Sequence, residues 1–396
     1  MGQPTNCASM SFVESIDAAT LGERLRVARA NAGLTQEDAA KRLGVSRPTL
    51  VAIEQGQRKV RAEELRTLAD IYEARFNDLL RSTAVHVDLV AKFRKGDSKK
   101  QTELEKSGED AIRLLNRLAT ASMELEFRLG QRQQSYPPPE KQILSGPLED
   151  QAEDLALELR HRLGIGLSPI TDIVSLVELE LGVRIFFRPL APLISGVFAY
   201  DAAVGPCMLI NIKHPRERQV LTIAHELGHF MCARNSPDVV HEAAHEISRE
   251  ERFVTLFAVA FLMPAVSVRS RFRDYTAAGG AFSPRNLLLM AHSFKVSVEA
   301  MARRLENLKL LKQGTFESLK ERGFTIEAAK RALGLPTDDA QSAPPRLTLM
   351  AVEAYRRGLF SEGQLSNMLS LERVQLREQL DNFGGEELDD ALSLES

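Results

Sequence analysis

Three consecutive prolines, Pro137-Pro138-Pro139, constrain this chain more than any other feature. No helix runs through such a triplet and no central strand tolerates it, because each proline lacks the backbone N–H. The 396 residues are therefore divided among separate bodies that meet at this stiff break. Pro344-Pro345 marks a further joint. At roughly 150 residues per domain, the length itself predicts two to three. Apolar residues, at 44%, are ample for buried cores, and no apolar run approaches the ~18 residues of a membrane helix. No Lys or Arg precedes Arg24, so the basic start of a signal peptide is missing. Cys7, Cys207 and Cys232 are an odd number at no zinc-finger spacing, which suits a reducing compartment. Membrane, secreted and fibrous classes are excluded on these grounds, and a cytoplasmic location is expected.

The formal net charge of −3 is unevenly spread. Between Ala19 and Ala84 there are 12 Lys/Arg against 9 Asp/Glu, and the rest of the chain is acidic. A mildly basic module on an acidic body is a first pointer to a polyanion partner. Within residues 20–82, glycines and caps spell out a string of short helices. Gly33 ends the first, and Thr35 caps a second whose first turn holds Glu37 and Asp38. Gly44 breaks that helix, Ser46 caps a third, and Pro48 sits where a missing N–H costs nothing. Segments 61–73 and 75–81 supply two more. A supporting helix, a tight turn and a second helix with an exposed N-terminal end make a DNA-reading geometry. Val45, Leu50 and Ile53 point inward, which leaves Arg47, Thr49 and Ala52 outside. Arg47 is suited to a bidentate bond with guanine, and Thr49 to a thymine methyl or a phosphate. Ser46, Gln36, Arg58 and Lys59 complete the candidate contacts, the last three on the phosphate backbone.

The run Leu34-Thr35-Gln36-Glu37-Asp38-Ala39-Ala40, followed by Val45-Ser46-Arg47-Pro48-Thr49-Leu50 and on to Gln55-Gly56, resembles the Xre/Cro family of repressor domains. The resemblance covers residues 20–82. It implies binding to a double-stranded DNA operator, as a homodimer on two half-sites.

His225-Glu226-Leu227-Gly228-His229 carries the second chemistry. Histidines at i and i+4 lie on one helix face and can share a Zn²⁺, with the intervening glutamate beside a water. Leu221 to Ala224 and Phe230-Met231 predict that this helix is largely buried. His241-Glu242-Ala243-Ala244-His245 matches the same pattern but follows the polar Asn235-Ser236-Pro237-Asp238. The first motif is preferred because its helix has an apolar body. Beyond it, Glu250 and Glu251 also open a helix that runs through Phe253, Phe257 and Phe261 to Met263-Pro264. A second core helix that starts with carboxylates is what a His₂Glu site requires. His241 and His245 read most simply as solvated loop residues, with a minority role for one as a hydrogen-bond donor. Cys232 reads as a buried, inert thiol.

Around this motif, the blocks Ile194-Ser195-Gly196-Val197, Met208-Leu209-Ile210-Asn211, Glu217 to His229 and Phe257 to Pro264 resemble the ImmA/IrrE-type metallopeptidases over roughly 150–315. The resemblance implies that His225, His229 and a downstream glutamate hold zinc, and that Glu226 is the general base. The family's glutamate falls on Glu251, with Glu250 as the fallback. Thr255, one turn later, is a candidate brace for an imidazole. Phe253-Val254 departs from the commonest family pattern, an acidic or amide residue followed by Ala. The strand expected at 206–212 is a candidate to pair with an extended substrate.

The predicted fold is mainly α with a small β-sheet, α+β in class. A helix-turn-helix domain over 19–84 is followed by a helical connector over 85–141. A zincin-like metallopeptidase domain over 142–340 comes next, and a helical C-terminal element with an acidic tail spans 341–396. In the connector, Ile112, Leu115, Ala119, Leu125 and Leu129 fit one helix face over 111–129. Strands are expected at 183–188, 195–200 and 206–212, helices at 150–163, near 170–182 and through the remainder, and two or three helices over 347–381. Relatives of the peptidase module cleave Xre-type repressors to relieve repression under stress. The fusion therefore implies a transcriptional regulator whose protein substrate is its own connector or a separate regulator. The alternative is a non-cleaving regulator whose metallopeptidase-like domain senses a ligand or partner.

Overall fold

The computed structural model describes residues 17–72, 103–133, 137–201, 204–234, 238–241, 248–277, 281–322 and 345–383, with positions 74, 79 and 325. They fall into two compact units. One is drawn from Met1–Asp97, Ile112–Arg132 and Glu353–Asn382, the other chiefly from Gln133–Val352.

Helices α1 (Ala18–Asn31), α2 (Gln36–Leu43), α3 (Arg47–Glu54) and α4 (Ala62–Ile71) open the chain. Their ends follow from local chemistry. The Thr35 hydroxyl accepts from the Asp38 N–H at 3.1 Å, and the Ser46 hydroxyl from the Thr49 N–H at 3.4 Å. Gly44 closes α2 with φ +77°, a conformation that disfavours any side chain. Leu25, Ala39, Leu50, Ile53, Leu65 and Leu68 form the shared core. Packing there is tight: a Cβ on Gly22 of α1 would come within 2.5 Å of the Ile53 carbonyl oxygen of α3. Of the helix expected over 75–81 only Leu79 is described, buried, with its carbonyl accepting from Arg24 Nη1 at 2.9 Å.

The connector helix, α5 (Glu103–Leu129), is 27 residues long and begins well before the expected 111. Its five predicted apolar positions are buried, but so are Asn116, Leu118, Ser122, Met123 and Glu126. More than one face is therefore covered, where the sequence pattern showed one. Residues 85–102 lie outside the described set.

The larger unit begins with α6 (Leu148–Arg162) and α7 (Ile173–Glu180), then β1 (Arg184–Arg188), β2 (Ile194–Asp201) and β3 (Gly205–Asn211). The helix α8 (Arg216–Cys232) precedes the short strand β4 (Asp238–His241), followed by α9 (Arg249–Leu262), α10 (Ala265–Thr276), α11 (Pro284–Ser293), α12 (Val298–Asn307) and α13 (Thr315–Glu321). Three helices, α14 (Pro345–Arg356), α15 (Glu362–Leu369) and α16 (Arg373–Phe383), complete the described chain, and α16 runs two residues past the 381 at which the expected helices end. The four strands lie in the order β1-β3-β2-β4, with β1 parallel to β3 and the other pairs antiparallel.

Two expectations are corrected here. First, β3 is flanked by β1 and β2, so its backbone is already paired on both sides and cannot take up a substrate strand. Its seven residues are all buried, the pattern of a central strand covered on both faces. Second, Asp238–His241 is a strand, β4, at the edge of the described sheet beside β2, so His241 is a strand residue and not the loop residue expected. The alternation that would have announced it is too short to read in four residues.

In α7 the Glu178 carboxyl is 5% exposed, and burial pushes its pKa up to about 7 against the opposing pull of the Arg346 charge. The folded state thus favours the neutral acid. Its contribution to stability is complete below the ordinary carboxylate value near 4.5 and is lost as pH rises through about 7. Glu178→Gln, which is neutral throughout, is therefore expected to melt higher than wild type at pH 8, by up to about 3 kcal/mol, and to differ little at pH 4.5. Thermal melts at the two pH values test this, and an equal gap at both would contradict it.

Candidate functional site

Helix α8 is apolar on the sides that meet the sheet and α9, with Ile223, Ala224, Leu227, Phe230 and Met231 buried. Gly228, inside the HExxH sequence, lies directly against α9. A Cβ there would lie 2.7 Å from Val254 Cγ1 and 3.1 Å from Phe257 Cδ1. Val254 thus fills the notch left by Gly228, and Phe253 is buried in the same core. The departure at Phe253-Val254 therefore alters the helix contact and leaves the carboxylates one turn earlier in place. Those carboxylates are fixed by the cap of α9, where the Ser248 hydroxyl accepts from the Glu251 N–H at 3.0 Å.

This packing brings three side chains to one point. His225 Nε2 and His229 Nε2 are 3.2 Å apart, and Glu251 reaches them at 3.3 Å and 3.1 Å through its two carboxylate oxygens. One ligand atom from each can lie within 4.8 Å of the other two. A tetrahedral ion with bonds of about 2.0–2.1 Å has ligand atoms about 3.3–3.4 Å apart, so the donor set and its spacing fit zinc. Glu250 instead lies 3.8 Å from Nδ1 of His229, the other ring nitrogen, and does not meet both imidazoles. Burial lowers the pKa of His225, with the neighbouring His229 charge acting in the same direction and Glu251 against it. The neutral imidazole that results is the form that ligates a metal.

Glu226 is fully buried. It lies against β2 at Gly196, where a Cβ would sit 2.7 Å from Glu226 Oε1 and 2.7 Å from Thr222 Cγ2. Only glycine leaves this room, a reason that spacing along the sequence could not supply. Next to it the β2–β4 register shifts between Ile194 and Gly196, and the Ser195 hydroxyl accepts from Arg218 Nη2 at 2.8 Å. Gly196 was visible only as part of a resembling block, and the Arg218–Ser195 contact had no sequence signal. Cys232 donates through Sγ to the Gly228 carbonyl at 3.0 Å, and burial pushes its thiol up to about 12, so it stays protonated. His241 ends β4 opposite Ile194, in extended backbone; residues 242–247, His245 among them, lie outside the described residues. Thr255 is exposed, with no hydrogen bond to either imidazole among the described residues.

In the smaller unit, α3 buries Leu50 and Ile53 and leaves Arg47 exposed at its N-terminal end. The hydroxyls of Ser46 and Thr49 are 2.8 Å apart. Lys59 is exposed, whereas Arg58 donates to Glu64 Oε1 at 2.8 Å. That bond is the leading cause of a lowered Glu64 pKa. Gln36 turns partly inward, donating through Nε2 to Glu54 Oε2 at 2.9 Å.

A family profile described as a helix-turn-helix domain matches residues 20–81, and a peptidase profile described as an IrrE N-terminal-like domain matches 179–306. No curated protein matches the chain. Among solved structures, ComR from Streptococcus suis is similar at 11% identity over 95% of this chain and 96% of that one, with a TM-score of 0.16, too low to bear on the fold. No single described helix is long and apolar enough to cross a membrane. The chain thus joins a helix-turn-helix DNA-binding domain to an IrrE N-terminal-like, peptidase-like domain, the composition of a transcription regulator with a peptidase-like part.

Proposed function

We propose that this regulator is a zinc-dependent endopeptidase that relieves repression under stress by hydrolysing a peptide bond in its own connector or in a partner regulator. The observation that carries the reading is the convergence of His225, His229 and Glu251 at 3.1–3.3 Å beside the buried Glu226. His225 and His229 would hold the ion through Nε2, and Glu251 through its carboxylate. When bound, zinc supplies a Lewis acid that polarises the scissile carbonyl and makes water acidic near neutral pH. Glu226 takes the proton from the attacking water on a carboxylate oxygen and delivers it to the leaving amine nitrogen. Gly196 keeps the carboxylate close to β2, and the buried surroundings keep bulk water away from it. A substrate strand would pair with β4, an edge strand of the described sheet next to β2, since β3 is interior.

On the DNA side, Arg47 and Thr49 read base edges of a double-stranded operator. Ser46 and Lys59 sit beside them, and Gln36 and Arg58 reach phosphates only by leaving Glu54 and Glu64. A homodimer on two half-sites and a cytoplasmic location belong to the same proposal.

Glu226→Gln keeps the shape and removes the base. It is expected to bind zinc and DNA as wild type does while processing of the connector or partner regulator falls by about 10²–10⁴-fold. Immunoblots of chain and partner during stress read this out. Processing at the wild-type rate would overturn the peptidase reading and leave a regulator whose second domain binds without cleaving.

A further inference from the structure

We propose that Arg234 is a positioning residue that ties segment 137–141 to the last turn of α8, so that metal occupancy and the order of that segment are coupled. The inference rests on reading His225, His229 and Glu251 as a metal centre.

A helix leaves its last carbonyls without intrahelical partners. In α8 the His229 carbonyl accepts from the Ala233 N–H at 2.8 Å. The next, on Phe230, accepts from Nε and Nη2 of Arg234, both at 3.2 Å. The one after, on Met231, accepts from the Lys141 N–H at 2.8 Å, so the segment that follows the prolines itself completes the helix end. Arg234 holds that segment a second time: Nη2 donates to the Pro138 carbonyl at 2.6 Å, and its backbone N–H donates to Glu140 Oε1 at 3.1 Å. Its guanidinium also lies over the rings of Phe230, at 4.8 Å, and Tyr200, at 5.4 Å. One cation therefore joins the strap, the helix end and an aromatic side chain of β2. Pro138 is buried, and Lys141 Nζ pairs with Glu158 of α6 at 2.9 Å.

Phe230 follows His229 directly. Fixing His229 in a metal site restricts the turn whose carbonyls the strap must meet, and an ordered strap restricts the same turn in return. Such coupling is reciprocal. A run of prolines transmits displacement rather than absorbing it. Residues 137–141 are also the covalent route into this unit from α5, so the state of the metal site reaches the segment that leads back to the DNA-binding domain.

The test is amide exchange on the full chain, metal-free and zinc-loaded, in wild type, Arg234→Ala and Arg234→Lys. In wild type, zinc should slow exchange at the Lys141 amide by about fivefold or more, alongside protection of residues 221–229. In Arg234→Ala the 221–229 protection should persist while the effect at Lys141 disappears, and Arg234→Lys should restore part of it. A purely structural role would speed Lys141 exchange by the same factor with and without zinc, leaving the zinc effect at wild-type size, and that result overturns the coupling. Zinc that protects 221–229 but not Lys141 in wild type overturns it alone. A wild-type chain that binds no zinc overturns the metal centre, and the coupling with it.

Discussion

Glu251→Ala is expected to weaken zinc binding by on the order of a hundred- to a thousandfold, while wild type holds about one ion per chain. The argument is geometric. Glu251 is the only described carboxylate that meets both Nε2 atoms, at 3.1 Å and 3.3 Å, and without it two imidazoles must hold the ion with water alone. A site bound by several ligands with a total of roughly 10–16 kcal/mol loses about 3–4 kcal/mol per protein ligand, which is the factor stated. Glu250→Ala is expected to cost far less, because its carboxylate stands 3.8 Å from Nδ1 and not at the point of convergence. His241→Ala should leave zinc unchanged. Metal content after dialysis against a weak chelator compares all four proteins. Equal loss in Glu250→Ala and Glu251→Ala would mean that the two carboxylates share the ion, and loss in His241→Ala would restore the second HExxH sequence to consideration.

How far the sequence alone reaches depends on the range over which each signal acts. Caps and C-terminal glycines act over four residues, and Thr35, Ser46 and Gly44 delivered the boundaries of α2 and α3 where their chemistry put them. The i, i+4 histidines likewise needed nothing beyond one helix. Choosing Glu251 over Glu250 is a matter of about a hundred degrees of helical rotation relative to a second helix, which spacing leaves open and packing decides. Sheet order is further removed still. The unbroken apolar run from Gly205 to Asn211 carries the mark of a central strand, yet nothing local says which strands lie beside it, and pairing with a substrate stays open on sequence alone. Gly196 illustrates the limit most clearly. Its role is the absence of a Cβ beside a carboxylate thirty residues later, a contact between strand and helix that leaves no periodic trace.

The second large effect is expected in the DNA-binding unit, from Glu54→Ala. Glu54 ends α3 with its side chain 2% exposed, and it accepts from Arg29 Nε at 2.6 Å and Nη2 at 3.1 Å. Gln36, the first residue of α2, donates to the same carboxylate at 2.9 Å, so one buried charge ties α1, α2 and α3 together. Burial, followed by the Glu54 charge, raises the pKa of the Tyr72 hydroxyl, so the field of this carboxylate is felt across the core. Truncation leaves the buried Arg29 guanidinium without its carboxylate, still donating to the Leu34 carbonyl at 2.8 Å. Breaking a buried pair from one side costs about 3–5 kcal/mol. A domain of some sixty residues has only about 3–9 kcal/mol to lose. Calorimetry of the full chain should therefore show the helix-turn-helix domain melting first, well below its wild-type transition, with operator binding lost at temperatures where the peptidase-like domain is intact. Replacing both partners, as Arg29→Met with Glu54→Leu, removes the stranded charge and should recover most of the transition temperature. If it also restores the angle between α2 and α3 that holds Arg47 outward, DNA binding should return with it. A Glu54→Ala protein within about 1 kcal/mol of wild type would show that the ion pair is replaceable by water, and that apolar packing alone sets the angle between these helices.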